Sequence, residues 1–217
     1  VIAGEDFEAH AENGRLVYSD EQGLLDLPPP ALAGPHQFDN AAVAIAATRH
    51  FGLPVSEADI ARGLREVNWP ARLQPVTGTL LHMLPPGSEL WLDGGHNAHG
   101  AAALALALDE MQARRPLPLV IIMGLMNTRK PADFLAPFAG KAQKVFALTI
   151  PGEPNANPAS LIVEQGLAAG FDVVESRSIL NALADTAALG TAPLRVVFAG
   201  SLYLAGHVLH QNGTPPT

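Results

Sequence analysis

Apolar and polar positions change rhythm partway along the chain. Over residues 1–30 they form short extended runs, and "EDFEAHAENGRLVYSD" holds two of them around Asn13-Gly14. That pair is favoured in two-residue hairpin turns because both positions tolerate positive φ. "LPPPALAGP" (27–35) excludes a helix, since its prolines fix φ and remove backbone donors, and reads as an extended crossing. From Asp39 the run "NAAVAIAATRHFG" predicts a helix with Gly52 as its C-cap. "SEADIARGLREV" predicts a second, with Ser56 and Asp59 suited to the N-cap and first turn. "NWPARLQPV" is proline-rich and aperiodic, and marks the end of this first segment.

Beyond it, short apolar runs recur: "LWLD", "LPLVIIMG", "KVFALTI", "GFDVVES" and "LRVVFAG". Helical stretches at 97–113, 131–139, 158–169, 178–188 and 201–210 separate or follow them. Apolar strands alternating with helices predict a mostly parallel sheet covered on both faces, a doubly wound α/β domain. The expected division is 1–76 and 77–217, and the terminal "GTPPT" is expected to fray. Ligands of such sheets sit at the carboxyl ends of the strands.

Composition narrows the picture. Across 217 residues, 48% are hydrophobic and 16% charged, with 13 Lys and Arg against 21 Asp and Glu for a net charge of −8. The apolar share excludes a disordered chain. With no basic cluster to meet a phosphate backbone, a nucleic acid partner is not expected. The absence of cysteine excludes disulfides and thiolate metal sites. The longest apolar run, 101–108, is far short of the roughly 20 residues that span a bilayer. A cytoplasmic monomer without a membrane partner is the expectation.

Candidate chemistry gathers where the first of these strands ends. In "ELWLDGGHNAHG" the strand gives way to Asp93, Gly94-Gly95 and then His96. A carboxylate there can accept hydrogen bonds from a ribose diol or bind a metal; equally, it can cap the following helix. His96 and His99 share helical spacing, but zinc needs three or four ligands and nothing nearby supplies the rest. Arg72, in "NWPARLQ", offers a guanidinium fork suited to a phosphate or nucleotide, or packs on Trp69. "PHQFDNAA" (35–42) gathers four polar side chains at a helix start, of which N-capping by Asp39 explains one.

"GPHQFDNAAVAIAA", "GLREVNWPARLQ", "LWLDGGHNAHG" and "FAGSLYLAGHVL" occur in this order along the chain. Together they resemble the C-terminal half of the folylpolyglutamate synthase/dihydrofolate synthase family, the folate branch of the Mur-ligase superfamily. "GEDF" near the start fits the end of that family's central domain. The resemblance implies a Rossmann-like C-terminal domain preceded by the end of a central, ATP-binding domain. It implies ATP-dependent ligation of L-glutamate to a folate or dihydropteroate carboxylate through an acyl phosphate, with Mg2+. By the same resemblance Asn40 reads the adenine edge, Arg72 binds the nucleotide, Asp93 holds the ribose and His96 lies near the reacting centre. Arg129, in "GLMNTRKPADFL", would face the glutamate carboxylate, although the acid that usually trails this motif is missing. Ser201 would also lie near glutamate.

One element of such a ligase is absent. No G-x-x-x-x-G-K-[ST] loop occurs, and the one Gly-Lys pair, Gly140-Lys141, is followed by Ala142. The β- and γ-phosphates therefore lack their cradle, and the magnesium ligands are expected upstream. The chain reads as a C-terminal portion, inactive alone. The competing readings are a related ligase of cell-wall precursors and a non-catalytic nucleotide-binding or docking module.

Overall fold

The computed structural model describes residues 1–215; Pro216 and Thr217, the end of the stretch expected to fray, lie outside them. Two compact units divide between Trp69 and Pro70.

The first unit begins with an antiparallel meander, β1 (Phe7–Glu12), β2 (Arg15–Asp20) and β3 (Gly23–Leu27). Asn13 and Gly14 both have positive φ, 50° and 76°, the twist a two-residue hairpin requires. Alternation puts Phe7, Leu16, Tyr18, Leu25 and Leu27 in a core with Ala42, Ile45 and Ala46 of α1 (His36–His50) and Leu64 of α2 (Glu57–Glu66). α1 starts three residues before Asp39: Pro35 occupies the N-cap with φ −59°, already helical, and Asp39 is an acid in the first turn. Gly52 follows the cap residue Phe51 in a left-handed conformation, and its N–H reaches the Arg49 carbonyl. Ser56 and Asp59 form a reciprocal capping box at the start of α2.

The second unit is a six-stranded sheet in the order β4-β5-β9-β6-β7-β8. β5 (Glu89–Leu92), β6 (Leu119–Met123), β7 (Ala142–Ala147), β8 (Val173–Glu175) and β9 (Arg195–Ala199) run parallel. The two-residue β4 (Gln74–Pro75) pairs antiparallel with the end of β5, so residues 70–76, expected in the first segment, belong to the second unit. Val120, Ile122, Val196 and Phe198 pack on one face with Ile179 and Leu183 of α6 (Ile179–Ala187) and Leu204 and Val208 of α7 (Leu202–Asn212). The alternate residues Ile121, Met123, Val197 and Ala199 are buried too. Their cover is the mutually packed α3 (Ala98–Arg114), α4 (Pro131–Leu135) and α5 (Ala159–Ala168). Helices on both faces make the mostly parallel, doubly wound sheet that the apolar runs predict.

At the amino end of β9, Arg195 is 2% exposed and fully engaged. It donates to Glu89 at 2.8 Å, Gln112 at 2.9 Å and the Arg115 carbonyl at 3.0 Å. Burial pushes the Glu89 carboxyl up, but hydrogen bonds from Arg195 and Trp91 outweigh it and hold the carboxyl below its usual range. Among the described residues, no helix is long and apolar enough to cross a membrane.

Candidate functional site

β9, the last strand, inserts between β5 and β6, so the chain leaves neighbouring strand ends towards opposite faces of the sheet. That is where an open α/β sheet forms a ligand crevice. β5 runs out into Asp93, whose N–H donates to the Phe198 carbonyl at 2.9 Å. Gly94 follows without a side chain because Leu202 covers it: a Cβ there would overlap that side chain. On the neighbouring strand end, Gly200 takes φ +106°, and a Cβ would stand 2.7 Å from the Gly124 carbonyl oxygen. The Gly200 N–H then donates to the Gly95 carbonyl at 3.1 Å, tying the two strand ends together.

Asp93 is 8% exposed, and both its oxygens are engaged by backbone. Oδ1 accepts the Gly95 N–H at 2.7 Å and Oδ2 the Leu73 N–H at 2.9 Å. It does not cap α3; Asn97 does, accepting the Gly100 N–H at 2.7 Å. The Gly94 N–H donates in turn to the Ala71 carbonyl at 2.7 Å. The 70–73 loop is thus fastened to the Asp93 turn from both sides, and between the fastened residues Arg72 stands exposed. Its side chain pairs with none of the described residues.

His96 is exposed, with Nδ1 3.3 Å from the Gly94 carbonyl. In the tautomer that donates Nδ1–H to that oxygen, Nε2 is left as an acceptor. Ser201 is 2% exposed and caps α7, its Oγ accepting the Tyr203 N–H at 3.1 Å while its hydroxyl proton remains to donate. Arg72, Asp93, His96 and Ser201 therefore share the linked ends of β5 and β9.

Arg129 and Asn40 belong to other elements of the chain. Arg129 is exposed in the loop after β6, and hydrogen-bonds through its side chain to none of that group. Its loop is pinned by Asn157, 3% exposed, whose amide donates to the Met126 and Arg129 carbonyls at 3.3 and 3.0 Å. Asn40 is an exposed residue of α1 in the first unit, and its amide donates to buried Gln37 at 3.1 Å. Beside them opens a mostly apolar cavity of about 370 Å³, lined by Ile45, Leu53, Ile60 and Leu64. Two functional candidates escape the sequence pattern: Asn157, hidden in a turn-like "PNANP", and Gln74, whose Oε1 accepts the Ala71 N–H at 2.9 Å. Among the described residues, no three His, Asp or Glu side chains converge as a metal site.

The folylpolyglutamate synthase of Lacticaseibacillus casei is 30% identical over 207 residues, which cover 92% of this chain and 44% of that protein. The chain is a homologue of the folylpolyglutamate synthases. The dihydrofolate synthase/folylpolyglutamate synthase of Escherichia coli is 28% identical over 193 residues, covering 88% of this chain and 41% of that protein. Escherichia coli FolC in complex with DHPP and ADP superposes with a TM-score of 0.78 at 26% identity, over 96% of this chain and 46% of that one. A Mycobacterium tuberculosis folylpolyglutamate synthase complexed with ADP, at 22% identity and a TM-score of 0.77, shares the fold over 99% of this chain and 49% of its own. The chain thus spans less than half the length of these relatives. Its mostly parallel sheet matches the C-terminal domain of the FolC and Mur-ligase structures. No family model matches the chain.

Proposed function

We propose that the complete polypeptide containing this chain ligates L-glutamate to a folate or dihydropteroate carboxylate, with ATP supplying an acyl phosphate. The observation that carries this reading is the joined strand-end group of Arg72, Asp93, His96 and Ser201 in a homologue of the folylpolyglutamate synthases. In the reaction the substrate carboxylate attacks the γ-phosphate, ADP leaves, and the glutamate amine displaces phosphate from the acyl carbon.

This chain's share of that chemistry is binding and orientation. Each Asp93 oxygen accepts one backbone donor and keeps a second lone-pair direction, so the carboxylate can also receive the two ribose hydroxyls. Arg72, exposed and unpaired among the described residues, carries a charge free to meet the nucleotide phosphates. The Asn40 amide, beside an apolar cavity large enough for a purine, supplies the paired donor and acceptor that an adenine edge needs. His96 stands at the strand-end crevice near the reacting centre. The Ser201 hydroxyl and the Arg129 guanidinium would hold glutamate carboxylates. The described residues offer no set of ligands that fits magnesium. Lacking the phosphate-cradling loop, the chain does not perform the ligation alone.

Incubating the complete polypeptide with ATP, L-glutamate and tetrahydrofolate or dihydropteroate should yield ADP, phosphate and a glutamylated product. Turnover of a muramyl substrate, with none of the folates, would overturn the reading.

A further inference from the structure

The loop that presents Arg72 adopts a conformation its own residues disfavour. Ala71 and Leu73 have φ of 60° and 42°. An L side chain in that region crowds its own backbone, so such residues persist only where the surroundings over-determine them. Apart from the hairpin residue Asn13, these are the only non-glycine residues with positive φ among those described, and they flank a single exposed arginine.

Three hydrogen bonds enforce the conformation. The Leu73 N–H donates to Asp93 Oδ2 at 2.9 Å, and the Ala71 carbonyl accepts the Gly94 N–H at 2.7 Å. The third is separate from the Asp93 turn: the Ala71 N–H donates to Gln74 Oε1 at 2.9 Å. Gln74 is itself fixed, because in β4 it is in register with Leu92, the residue before Asp93. The β4–β5 pair therefore sets both side chains that hold the loop, Gln74 within it and Asp93 just past its end.

We propose that Gln74 is a positioning residue for nucleotide binding, its amide oxygen locking the left-handed pair that sets the direction of the Arg72 side chain. The proposal rests on the reading of Arg72 as a nucleotide ligand. Without the acceptor, Ala71 is released towards an ordinary negative φ and the Cα–Cβ direction of Arg72 turns with it. Because Arg72 would grip the nucleotide before and during the reaction alike, the loss falls on KM for ATP and leaves kcat in place.

The test uses the complete polypeptide, with KM and kcat for ATP and calorimetric titration of ADP. Gln74→Ala should raise KM for ATP about fivefold, the worth of one hydrogen bond, with kcat unchanged. Gln74→Glu, which keeps the acceptor, should match the parent. Gln74→Met keeps the length without the acceptor and covers the case in which Gln74→Ala does not fold. The double variant Arg72→Ala/Gln74→Ala should be no worse than Arg72→Ala alone, since both changes remove the same grip. If Arg72→Ala raises KM while Gln74→Ala and Gln74→Met do not, the role of Gln74 is overturned and the nucleotide reading stands. If Arg72→Ala leaves KM unchanged, both fail. A fall in kcat without a change in KM, or additive losses in the double variant, marks Gln74 as merely structural and overturns the proposal.

Discussion

Arg72 is exposed and unpaired among the described residues, whereas Asp93 is buried and accepts two backbone donors, so truncating each should separate binding from stability. Arg72→Ala should leave urea denaturation within about 0.5 kcal/mol of the parent. In the complete polypeptide it should raise KM for ATP about ten- to a hundredfold, the loss of a charge-assisted contact of about 1.5–3 kcal/mol. Asp93→Ala should also lower stability by about 2–4 kcal/mol, because the Leu73 and Gly95 N–H groups lose their acceptor. An Asp93→Ala variant as stable as the parent would contradict the geometry. The strand-to-Gly-Gly turn announces Asp93 in the sequence, but not its hold on Leu73, 20 positions earlier. Nor does anything in "PARLQ" signal left-handed backbone, since Ala and Leu are residues that avoid it.

Helix α2 and strand β9 each carry a testable electrostatic device. The Asp59 carboxyl is held below its usual range, first by the Ser56 hydroxyl, then by the Ser56 N–H and Arg62. A carboxyl depressed in the folded state stabilises it while ionised; the contribution is present above the unfolded value and lost as pH falls through the folded one. Circular dichroism melts should show α2 weakening as pH drops below the ordinary carboxylate range, and Ser56→Ala should reduce that dependence. At β9, Arg195→Ala would leave Glu89 paired with Arg115 and Trp91 but remove the buried guanidinium bonds to Glu89, Gln112 and the Arg115 carbonyl, and should cost about 1.5–3 kcal/mol in urea denaturation. The parallel strands were legible because each is a short apolar run closed by glycine, proline or charge. β4 was not, being two residues long and containing a proline at a sheet edge. The 131–139 stretch reads as one helix but breaks after Leu135 into a 3-10 turn, Ala136–Phe138, where Pro137 lacks the donor to continue.

For the whole chain, the alternation of strands and helices made the α/β class readable, whereas the sheet order did not follow from it. Nothing local in "LRVVFAG" says that the last strand enters between β5 and β6, yet that insertion brings Ser201 beside the Asp93 turn. The missing Gly-Lys-Ser/Thr loop was legible by inspection, and it sets the molecular-scale expectation. The 217-residue chain expressed alone should bind ATP weakly at most and form no glutamylated folate. Tight binding by calorimetry, or product formation, would refute this.

Asn157 joins two connections that are separate in sequence. Its amide holds the loop after β6, while its own N–H donates to the Leu125 carbonyl at 2.7 Å and Asn127 donates to the Asn155 carbonyl at 2.7 Å. The loops after β6 and β7 are therefore stitched into one lip. A ligand held at Arg129, as the proposed function requires, would meet backbone already ordered by folding, and its capture would have that much less freedom to extinguish.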